Sequence, residues 1–274
     1  MLEQIMNLDV VQKVLVNFIQ ETIRKNGFQN TIVGVSGGID SALVLALLQR
    51  ALGSEHTFGL LMPYKLSSED SLKDGKELCE QLKVRYEVID ISPSVDGYFN
   101  RFPNDKNKLL IGNKCARERM SILYDFSSRH KALVAGTSNK SELLIGYSTI
   151  FGDSAAAFLP LGDLYKTQVF VLARHLNIPE KIILKKPSAD LWQDQTDEGE
   201  IGVTYKELDE ILYRLVDLRL KPVEIEKAGY SKQTIERIKS MIISSQYKRT
   251  MPQVCKLQPR TVGIDFRYPR DWNK

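Results

Sequence analysis

The sequence predicts an α/β fold, a doubly wound and mainly parallel sheet flanked by helices, followed by a helical C-terminal part. Two patterns indicate this fold: short aliphatic runs alternate with helical patterns in the first half, and only helical patterns follow residue 150. Strands separated by helices are typical of βαβ units, whose strands pair in parallel. We expect residues 1–274 to form a single domain, with its helical portion from about residue 160.

Four β-branched or aliphatic runs are the candidate strands. They are TIVGV at 31–35, TFGLLM at 57–62, VRYEVIDI at 84–91 and KALVAG at 131–136. The stretches between them are DSALVLALLQRAL, SSEDSLKDGKELCEQL and NKCARERMSILYDFSSRH. Each places apolar residues three to four positions apart with polar residues between them, which favours helices that cover the faces of the sheet.

The second half shows three further helical patterns. They are DLYKTQVFVLARHLN, TYKELDEILYRLVD and SKQTIERIKSMIISSQYKR. The polar segment KKPSADLWQDQTDEGEIG at 185–202 lies between the first two, and glycine and proline interrupt it. We predict that this segment is a loop near the functional site.

Composition argues against several classes of protein. The first twenty residues lack the basic and apolar regions of a signal peptide, and no apolar run is long enough to span a membrane, so a cytoplasmic protein without a membrane partner is expected. Cys79, Cys115 and Cys255 are far apart and odd in number, which favours reduced structural thiols over a zinc site or disulfides. The net charge of +4 is mild, but residues 248–274 are locally basic.

The segment TIVGVSGGIDSALVLALLQ at 31–49 predicts a phosphate-binding loop. A strand leads into two glycines, and a helix follows from near Asp40. Gly37 and Gly38 permit backbone conformations and close approaches that a Cβ forbids, while the N–H groups at the helix start point towards an anion. Ser36 and Ser41 can add hydroxyl donors to the same anion.

This loop differs from the P-loop of kinases and ATPases. A P-loop requires GxxxxGK followed by Ser or Thr, and no lysine occurs here, so transfer of a γ-phosphate is disfavoured. Asp40 would repel a phosphate at the same helix end, which predicts a Mg²⁺ ion between Asp40 and a pyrophosphate. The simpler explanation is a plain turn with Asp40 as helix N-cap, but five specified residues match by chance at roughly one in a million start positions.

The motif SGGIDS is the signature of the PP-loop, or ATP pyrophosphatase, superfamily, and the whole chain resembles the NAD synthetases. The similarity rests on SGGIDSA, MPYKLSSEDSLKD, IGNKCARERM, AGTSNKSELLIGYSTIFGDSAAAFLPLGDLYKTQV, KKPSADLWQDQTDEGEIG and QYKR. The resemblance implies ammonia-dependent amidation of deamido-NAD, with ATP as co-substrate and Mg²⁺ as cofactor. The nicotinate carboxylate would be adenylated with release of pyrophosphate, and ammonia would then displace AMP.

The resemblance also implies roles for individual residues. ATP contacts are implied for Gly34, Val35, Ser36, Gly37, Gly38, Ile39, Asp40, Ser41, Thr137, Lys166 and Ser188. Magnesium ligation is implied for Asp40 and Glu142, and these two with Lys166 are the expected catalytic residues. Contacts to deamido-NAD are implied for Arg117, Asp153, Tyr247 and Lys248. A homodimer without a glutaminase domain is the expected assembly, and nucleic acid is not an expected partner.

The residues themselves leave alternatives to these roles. Glu142 follows KALVAG and should emerge at the same sheet edge as Asp40, although a solvated helix residue is the simpler explanation. Lys166 lies early in a helix, where the dipole disfavours a cation, so anion binding would explain it, yet an exposed lysine is a respectable alternative. Arg117 and Arg119 could also be exposed residues on a helix surface with no role in binding, and Arg119 is the better candidate for this. The three histidines lie at predicted element ends and show no catalytic pattern.

Two departures from the commoner family pattern affect the dinucleotide site. Many members have GYFTK before GDG, whereas this chain has GYSTIFGD, with Ser148 and Ile150 at the differing positions. Many members also have a His-Lys pair near the end of the chain, where this chain has Tyr247 and Lys248. Specificity for deamido-NAD should therefore depend on fewer charged contacts.

Other functions remain open at this point. The runner-up is another PP-loop synthetase that acts on a different carboxylate or carbonyl, such as a GMP synthetase without its glutaminase half. A tRNA thiolase is disfavoured because paired cysteines are absent. A non-enzymatic nucleic-acid-binding module would use the basic tail and show strongly salt-dependent binding.

Overall fold

The computed structural model describes residues 7–102, 107–188, 196–250 and 252–262. The first six residues, the centre of the 185–202 segment and most of the basic tail, including Arg267, Arg270 and Lys274, lie outside the described residues. Within those ranges four strands form one parallel sheet in the order β3-β2-β1-β4. They are β1 (Asn30–Gly34), β2 (Thr57–Leu61), β3 (Arg85–Val88) and β4 (Ala132–Ala135).

Helices account for most of the remaining described chain. Those up to β4 and just beyond it are α1 (Leu8–Lys25), α2 (Ile39–Leu52), α3 (Glu69–Gln81), α4 (Ser92–Phe99), α5 (Lys108–His130) and α6 (Lys140–Ile145). Those that follow are α7 (Lys166–His175), α8 (Glu180–Ile183), α9 (Asp197–Ile201), α10 (Tyr205–Leu212), α11 (Pro222–Lys227) and α12 (Lys232–Ser244). A π-helical stretch, Tyr213–Asp217, continues α10, and short 3-10 turns span Ser54–His56 and Gln246–Arg249.

The sheet is doubly wound, as the sequence predicts. The core on one face contains residues of α2, α3 and α7, and the core on the other contains residues of α4 and α5. The strand order reverses between β1 and β4, which pair in register at Thr31 and Leu133. In open α/β sheets ligands bind outside the carboxyl ends of the strands at such a switch point. The SGGIDS loop follows β1, so the topology places it at this position.

The observed elements differ from the predicted ones mainly at their ends. The run VRYEVIDI yields a strand of only four residues, and α4 follows from Ser92, whose N–H donates to Asp90 (2.8 Å). Helix α5 begins five residues before the predicted pattern, since Asn107 caps it through the Leu109 and Leu110 N–H groups. After residue 150 the chain is not purely helical, because Phe158 forms a parallel bridge with Ala135.

Helix α2 is buried on nearly every face and does not show the predicted alternation. All residues of α2 from Ser41 to Leu48 are buried. The sheet covers one side of the helix, while α1 and α7 pack against the others. The near-continuous apolar run is therefore explained by a third layer that excludes water from the outer face of α2.

The C-terminal helices enclose an apolar core of their own. It contains Ile145, Tyr165, Ile201, Tyr205, Leu208, Ile211, Leu212, Ile225, Ile235 and Ile238. Because Ile145 belongs to α6, the helical part includes residues that precede the expected start near residue 160. In the described part of the chain, no helix combines the length and apolarity that a membrane span requires.

Candidate active site

The loop after β1 depends on glycine at one of its two glycine positions. Gly37 has a φ of 77°, and a Cβ there would lie 2.1 Å from the Ser71 carbonyl oxygen. Gly38 has a φ of −93° and forms the N-cap of α2, where a Cβ would meet only the Ser36 hydroxyl oxygen at 3.3 Å. The backbone conformation therefore requires glycine at Gly37 but not at Gly38, and Asp40 is not the helix cap.

The two serine hydroxyls of the loop bond within the loop. The Ser36 N–H donates to Ser41 Oγ (3.2 Å), and the Ser41 hydroxyl donates to the Gly38 carbonyl (3.0 Å). The Gly38 N–H donates in turn to Ser36 Oγ (3.2 Å). In this structure both hydroxyls hold the turn in shape, and their bonds to a phosphate stay a prediction. Gly34 and the buried Val35 lead into it, and the Val35 N–H extends the β1–β2 pairing by bonding the Leu60 carbonyl (2.8 Å).

Three expected catalytic residues converge beside this loop. Asp40 is the second residue of α2, Glu142 lies in α6, and Lys166 is the first residue of α7. The Lys166 ammonium pairs with Asp40 and lies 3.5 Å from a carboxylate oxygen of Glu142. Lys166 is only 2% exposed. The alternatives of a solvated Glu142 and an exposed Lys166 are therefore wrong.

Burial and mutual charge set the protonation of this cluster. Burial raises the pKa of Glu142, the neighbouring Asp40 carboxylate raises it further, and Lys166 opposes both. Burial disfavours the charged form of Lys166, but the Asp40 and Glu142 carboxylates outweigh it and raise the pKa of the ammonium. The ring of Tyr205 lies 5.1 Å from the Lys166 nitrogen and adds a cation–π contact. Lys166 is therefore held as a cation.

Asn139 is a site residue that the sequence reasoning missed. It is fully buried, and its side chain donates to Asp40 (3.0 Å) and accepts from the Glu142 N–H (3.0 Å). The Glu142 carboxylate accepts the Asn139 N–H (3.3 Å), which completes a capping box at the start of α6. The spacing Asn-x-x-Glu in NKSE was the signal that could have identified it.

The donor set of the cluster fits a hard divalent cation. Asp40 and Glu142 already direct carboxylate oxygens at one cation, the Lys166 ammonium. Among the residues that the structure describes, no group of three or more His, Cys, Asp or Glu could hold a metal ion. Two carboxylates completed by substrate phosphates are a usual way of binding Mg²⁺. These residues therefore suit magnesium that arrives with a nucleotide.

The other two expected ATP contacts lie at the same end of the sheet. Thr137 comes two residues after β4, between the strand and the capping box of α6. Ser188 is exposed and ends the described stretch before residue 189. Lys185, three residues earlier, pairs with Asp74 (2.5 Å) and approaches the Gly37 carbonyl at 3.5 Å. The sequence reasoning did not single out Lys185, which brings this stretch to the loop.

Three of the four residues expected to contact deamido-NAD lie at one segment, residues 146–153. The exposed Arg117 donates to the carbonyl of Ile150 (3.3 Å), and Asp153 accepts from the Thr149 N–H (2.8 Å). Lys248 donates to two carbonyls of the same segment, at 2.8 and 2.6 Å. Three of the four expected residues are thus brought together by the fold. Their bonds in this structure are to protein backbone.

The described start of the basic tail faces the protein. Burial lowers the pKa of Lys248. Arg249 donates to the carbonyls of Leu143 (3.0 Å) and Leu144 (2.7 Å) at the end of α6. Tyr247, in contrast, is 61% exposed. Because these two cations bond internal carbonyls, they do not form a free basic surface for nucleic acid.

Arg119 corrects another expectation. Its side chain does not lie free on the helix surface, since it is half-buried and donates to the Met62 carbonyl (3.0 Å) just beyond β2.

The histidines lie at element ends as expected, with His56 and His130 at the amino edge of the sheet, opposite the site. Cys79 and Cys115 are buried free thiols, whereas Cys255 is exposed.

A third acidic residue lies close to Lys166. Asp197, the first residue of α9, accepts from the hydroxyls of Tyr147 (3.1 Å) and Tyr205 (3.1 Å). Burial raises the pKa of Asp197, while the charge of Lys166 lowers it. Asp197 belongs to the polar 185–202 segment, so this part of the predicted loop is a short helix next to the cluster.

Comparison with known proteins supplies the family. The model of the NAD synthase family matches residues 11–252. The chain belongs to the NAD synthase family. A relative from Chlorobium phaeovibrioides, named NH(3)-dependent NAD(+) synthetase, is 49% identical over 98% of this chain and 97% of the relative.

Solved structures of NAD synthase relatives have the same fold. The NMN synthetase from Francisella tularensis has a TM-score of 0.81 and 33% identity, with 91% of this chain and 99% of that chain covered. The NH3-dependent NAD synthetase from Campylobacter jejuni has a TM-score of 0.78 and 36% identity, with 92% and 100% covered.

Proposed function

We propose that this chain converts deamido-NAD to NAD by ATP-dependent amidation with ammonia, releasing AMP and pyrophosphate. The observation that carries the proposal is the convergence of Asp40, Glu142 and Lys166 beside the SGGIDS loop. The relative named NH(3)-dependent NAD(+) synthetase is matched over 97% of its length, which supports ammonia as the nitrogen donor. ATP is the co-substrate.

In the first step the nicotinate carboxylate attacks the α-phosphorus of ATP, and pyrophosphate leaves. The N–H groups at the start of α2 would orient the phosphates, and Gly37 keeps the Ser71 backbone close behind the loop. Lys166, held as a cation, would bond phosphate oxygens on which negative charge develops. Thr137 and Ser188 are proposed as further ATP contacts.

We propose that Asp40 and Glu142 hold Mg²⁺ when ATP is bound. The ion would neutralise charge on the departing pyrophosphate. Asn139 fixes both carboxylates, because it bonds the side chain of Asp40 and caps the helix that carries Glu142. The two carboxylates are therefore already held in place for a cation.

In the second step ammonia attacks the carbonyl carbon of the adenylate. A carbon–nitrogen bond forms, the carbon–oxygen bond to AMP breaks, and one proton leaves the nitrogen. A mixed anhydride is needed because a carboxylate at neutral pH is a poor acyl donor to ammonia. We propose that Arg117, Asp153, Tyr247 and Lys248 orient the dinucleotide, around the segment that carries Ser148 and Ile150.

The assembly and location of the enzyme are part of the proposal. Val10, Val14 and Phe18 are exposed and lie four residues apart along one face of α1, which suits contact with a second copy of the chain. We propose a homodimer, a single domain and a cytoplasmic location. Light scattering that yields the mass of one chain at micromolar concentration would contradict the dimer.

A product assay tests the reaction. The purified chain is incubated with ATP, Mg²⁺, deamido-NAD and either ammonium or glutamine, and NAD, AMP and pyrophosphate are quantified. We expect equal amounts of the three products with ammonium and almost none with glutamine. Efficient NAD formation from glutamine, with free ammonia removed, would contradict ammonia dependence. ATP cleavage only with another carboxylate would favour a different PP-loop synthetase.

A second candidate substrate comes from the structural similarity to the NMN synthetase of Francisella tularensis. An amidating enzyme that makes NMN would act on nicotinic acid mononucleotide. Ile150, in the segment that Arg117 contacts, offers no charge to the second half of a dinucleotide. The same assay with deamido-NAD and with nicotinic acid mononucleotide distinguishes the two substrates. We expect the higher kcat/KM for deamido-NAD.

A further inference from the structure

Helix α7 carries Lys166 at its first position but lacks a side-chain cap from the residue before it. Tyr165 occupies the N-cap position, and its side chain makes no capping hydrogen bond. The first N–H groups of the helix are bonded by other elements. The Lys166 N–H donates to the Ser141 hydroxyl oxygen (2.9 Å), and the Thr167 N–H donates to Asp209 (2.8 Å). Helix α7 is therefore capped by α6 and α10.

Asp209 connects these bonds into one buried unit. It is fully buried, and one of its carboxylate oxygens accepts the Ser141 hydroxyl (2.5 Å) while the other accepts the Thr167 N–H. The Ser141 hydroxyl thus donates to Asp209, and its oxygen accepts the backbone N–H of Lys166. Unpaired groups in such a buried network are costly, so its geometry is tightly specified.

The location of this unit links it to the reacting cluster. Ser141 precedes Glu142 in α6, and Thr167 follows Lys166 in α7. A shift of Asp209 therefore moves the backbone at Lys166 and at Glu142 together. Asp209 also places an acidic group at the N-terminus of α7, which offsets the unfavourable position of the Lys166 cation.

We propose that Asp209 is a positioning residue, which acts through Ser141 and Thr167 to set the Lys166 ammonium against Glu142 and Asp40. This proposal rests on the proposed function of that cluster. Asp209 contacts no substrate in it, since its carboxylate is enclosed between α6, α7 and α10. A purely stabilising role would instead lower the melting temperature without changing turnover by folded enzyme.

Variants of Asp209 separate positioning from stability. Asp209→Leu leaves the Thr167 N–H and the Ser141 hydroxyl without an acceptor, and a misplacement of about 1 Å can cost about a hundredfold in rate. We expect kcat to fall about a hundredfold, with the KM values for ATP and deamido-NAD changed less than about threefold. Asp209→Asn can still accept from the Thr167 N–H and donate to Ser141, so we expect a loss of only about tenfold.

Asp217→Asn is the matched control. Asp217 accepts from the Tyr165 hydroxyl and pairs with Lys140 (2.8 Å), so it also contacts the start of α7 and α6. Both of these bonds involve side chains, and within the described residues Asp217 bonds no backbone N–H of α7. We expect kcat within about threefold of the parent, even where the melting temperature falls as much as in Asp209→Asn.

The outcomes are separable. Folded Asp209→Leu with a kcat within threefold of the parent would overturn the proposal, as would equal losses in Asp217→Asn and Asp209→Asn. If Asp209→Leu does not fold, Asp209→Asn and Ser141→Ala decide by the same criterion. A crystal structure of Asp209→Asn should show the Lys166 ammonium displaced from Glu142. An inactive parent enzyme would contradict the proposed function, whereas an unmoved Lys166 in the variant would contradict the positioning role alone.

Discussion

The two adjacent glycines of the SGGIDS loop, Gly37 and Gly38, differ in how strictly the backbone requires glycine. Gly37 has a positive φ and lies against the Ser71 carbonyl, whereas Gly38 has a backbone that other residues adopt. Gly37→Ala should lower kcat/KM for ATP at least a hundredfold and lower the melting temperature, because the new Cβ overlaps a backbone atom. Gly38→Ala, the control, should lose less than about tenfold. Similar losses in both variants, by initial rates and thermal melts, would contradict the distinction.

Asp40 and Glu142 allow a direct test of the metal site. Asp40→Asn and Glu142→Gln keep the size of each side chain but remove the charge that would hold Mg²⁺. We expect kcat to fall by roughly a hundred to a thousandfold, as for other lost electrostatic contacts. Far-UV circular dichroism should remain that of the parent. Near-normal turnover in magnesium by either variant would show that the metal ligands are misassigned.

Lys248 has backbone partners that the sequence did not predict. It bonds the carbonyls of Gly146 and Ser148, so it braces the segment that Arg117 contacts. We expect Lys248→Ala to weaken deamido-NAD binding at least about tenfold, the loss of one charge-assisted contact at about 1.5–3 kcal/mol. Binding of ATP should change little.

Ile150→Lys in the Lys248→Ala background should restore part of this affinity, because it returns a cation to the same segment. Calorimetric titration of deamido-NAD into the parent and the two variants measures both effects. Parent-like affinity in Lys248→Ala would mean that this lysine makes no contribution to the dinucleotide site.

At the scale of single residues, the sequence predicted which groups meet but not what each one bonds. The convergence of Asp40, Glu142 and Lys166 agrees with the expected cluster. The hydroxyls of Ser36 and Ser41 bond the loop itself, because a tight turn must satisfy its own backbone groups. Such local competition depends on angles that a motif does not contain.

Among the helices, α6 is short, and its start determines where Glu142 lies. Asn139 caps α6 and also donates to Asp40. Asn139→Ser should keep most of the capping bond and cost less than Asn139→Ala, which should lose about 1 kcal/mol of stability. Both variants lose the bond to Asp40, so we expect similar losses of kcat. Denaturant unfolding and initial rates test this, and full activity in Asn139→Ser would contradict a role for the Asp40 contact.

Helix and strand identity followed from composition, whereas the ends of elements did not. The four β-branched runs all became strands. The side chains of β1, β2 and β4 are mostly buried between the helical layers, whereas β3 lies at the edge of the sheet and is largely exposed. Ends were set by single polar side chains, such as that of Asn107, which caps α5. Helix α2 was misjudged because other helices cover its outer face: α1, which precedes it, and α7, which comes from a distant part of the chain.

Across the whole molecule, the site joins the α/β half to the helical half. Asp40 and Lys166 are 126 positions apart, and Ser141 and Asp209 are 68 apart. These long separations are the part of the site that no local pattern predicts, and only the family resemblance anticipated the first of them. The second involves residues that no motif marked, so the sequence reasoning missed it.

The core of the C-terminal helices should unfold together with the core that contains α2 and α7, because buried polar bonds connect the two through α6 and α7. We expect one thermal transition, with far-UV and near-UV circular dichroism giving the same midpoint. As a control, ATP with Mg²⁺ should shift both midpoints equally, since the ligand would contact both halves. Two separated midpoints would contradict the single-domain prediction.

The position of Lys166 between two carboxylates bears on the order in which substrates bind. Without nucleotide, its ammonium is the counterion of Asp40 and Glu142. A metal ion entering alone would bring a second positive charge next to it in a poorly solvated place. ATP offers new oxygens to the lysine, which can then exchange its protein partners for phosphate. Metal and nucleotide are therefore expected to enter as one complex, with the lysine released by the ligand it goes on to bind.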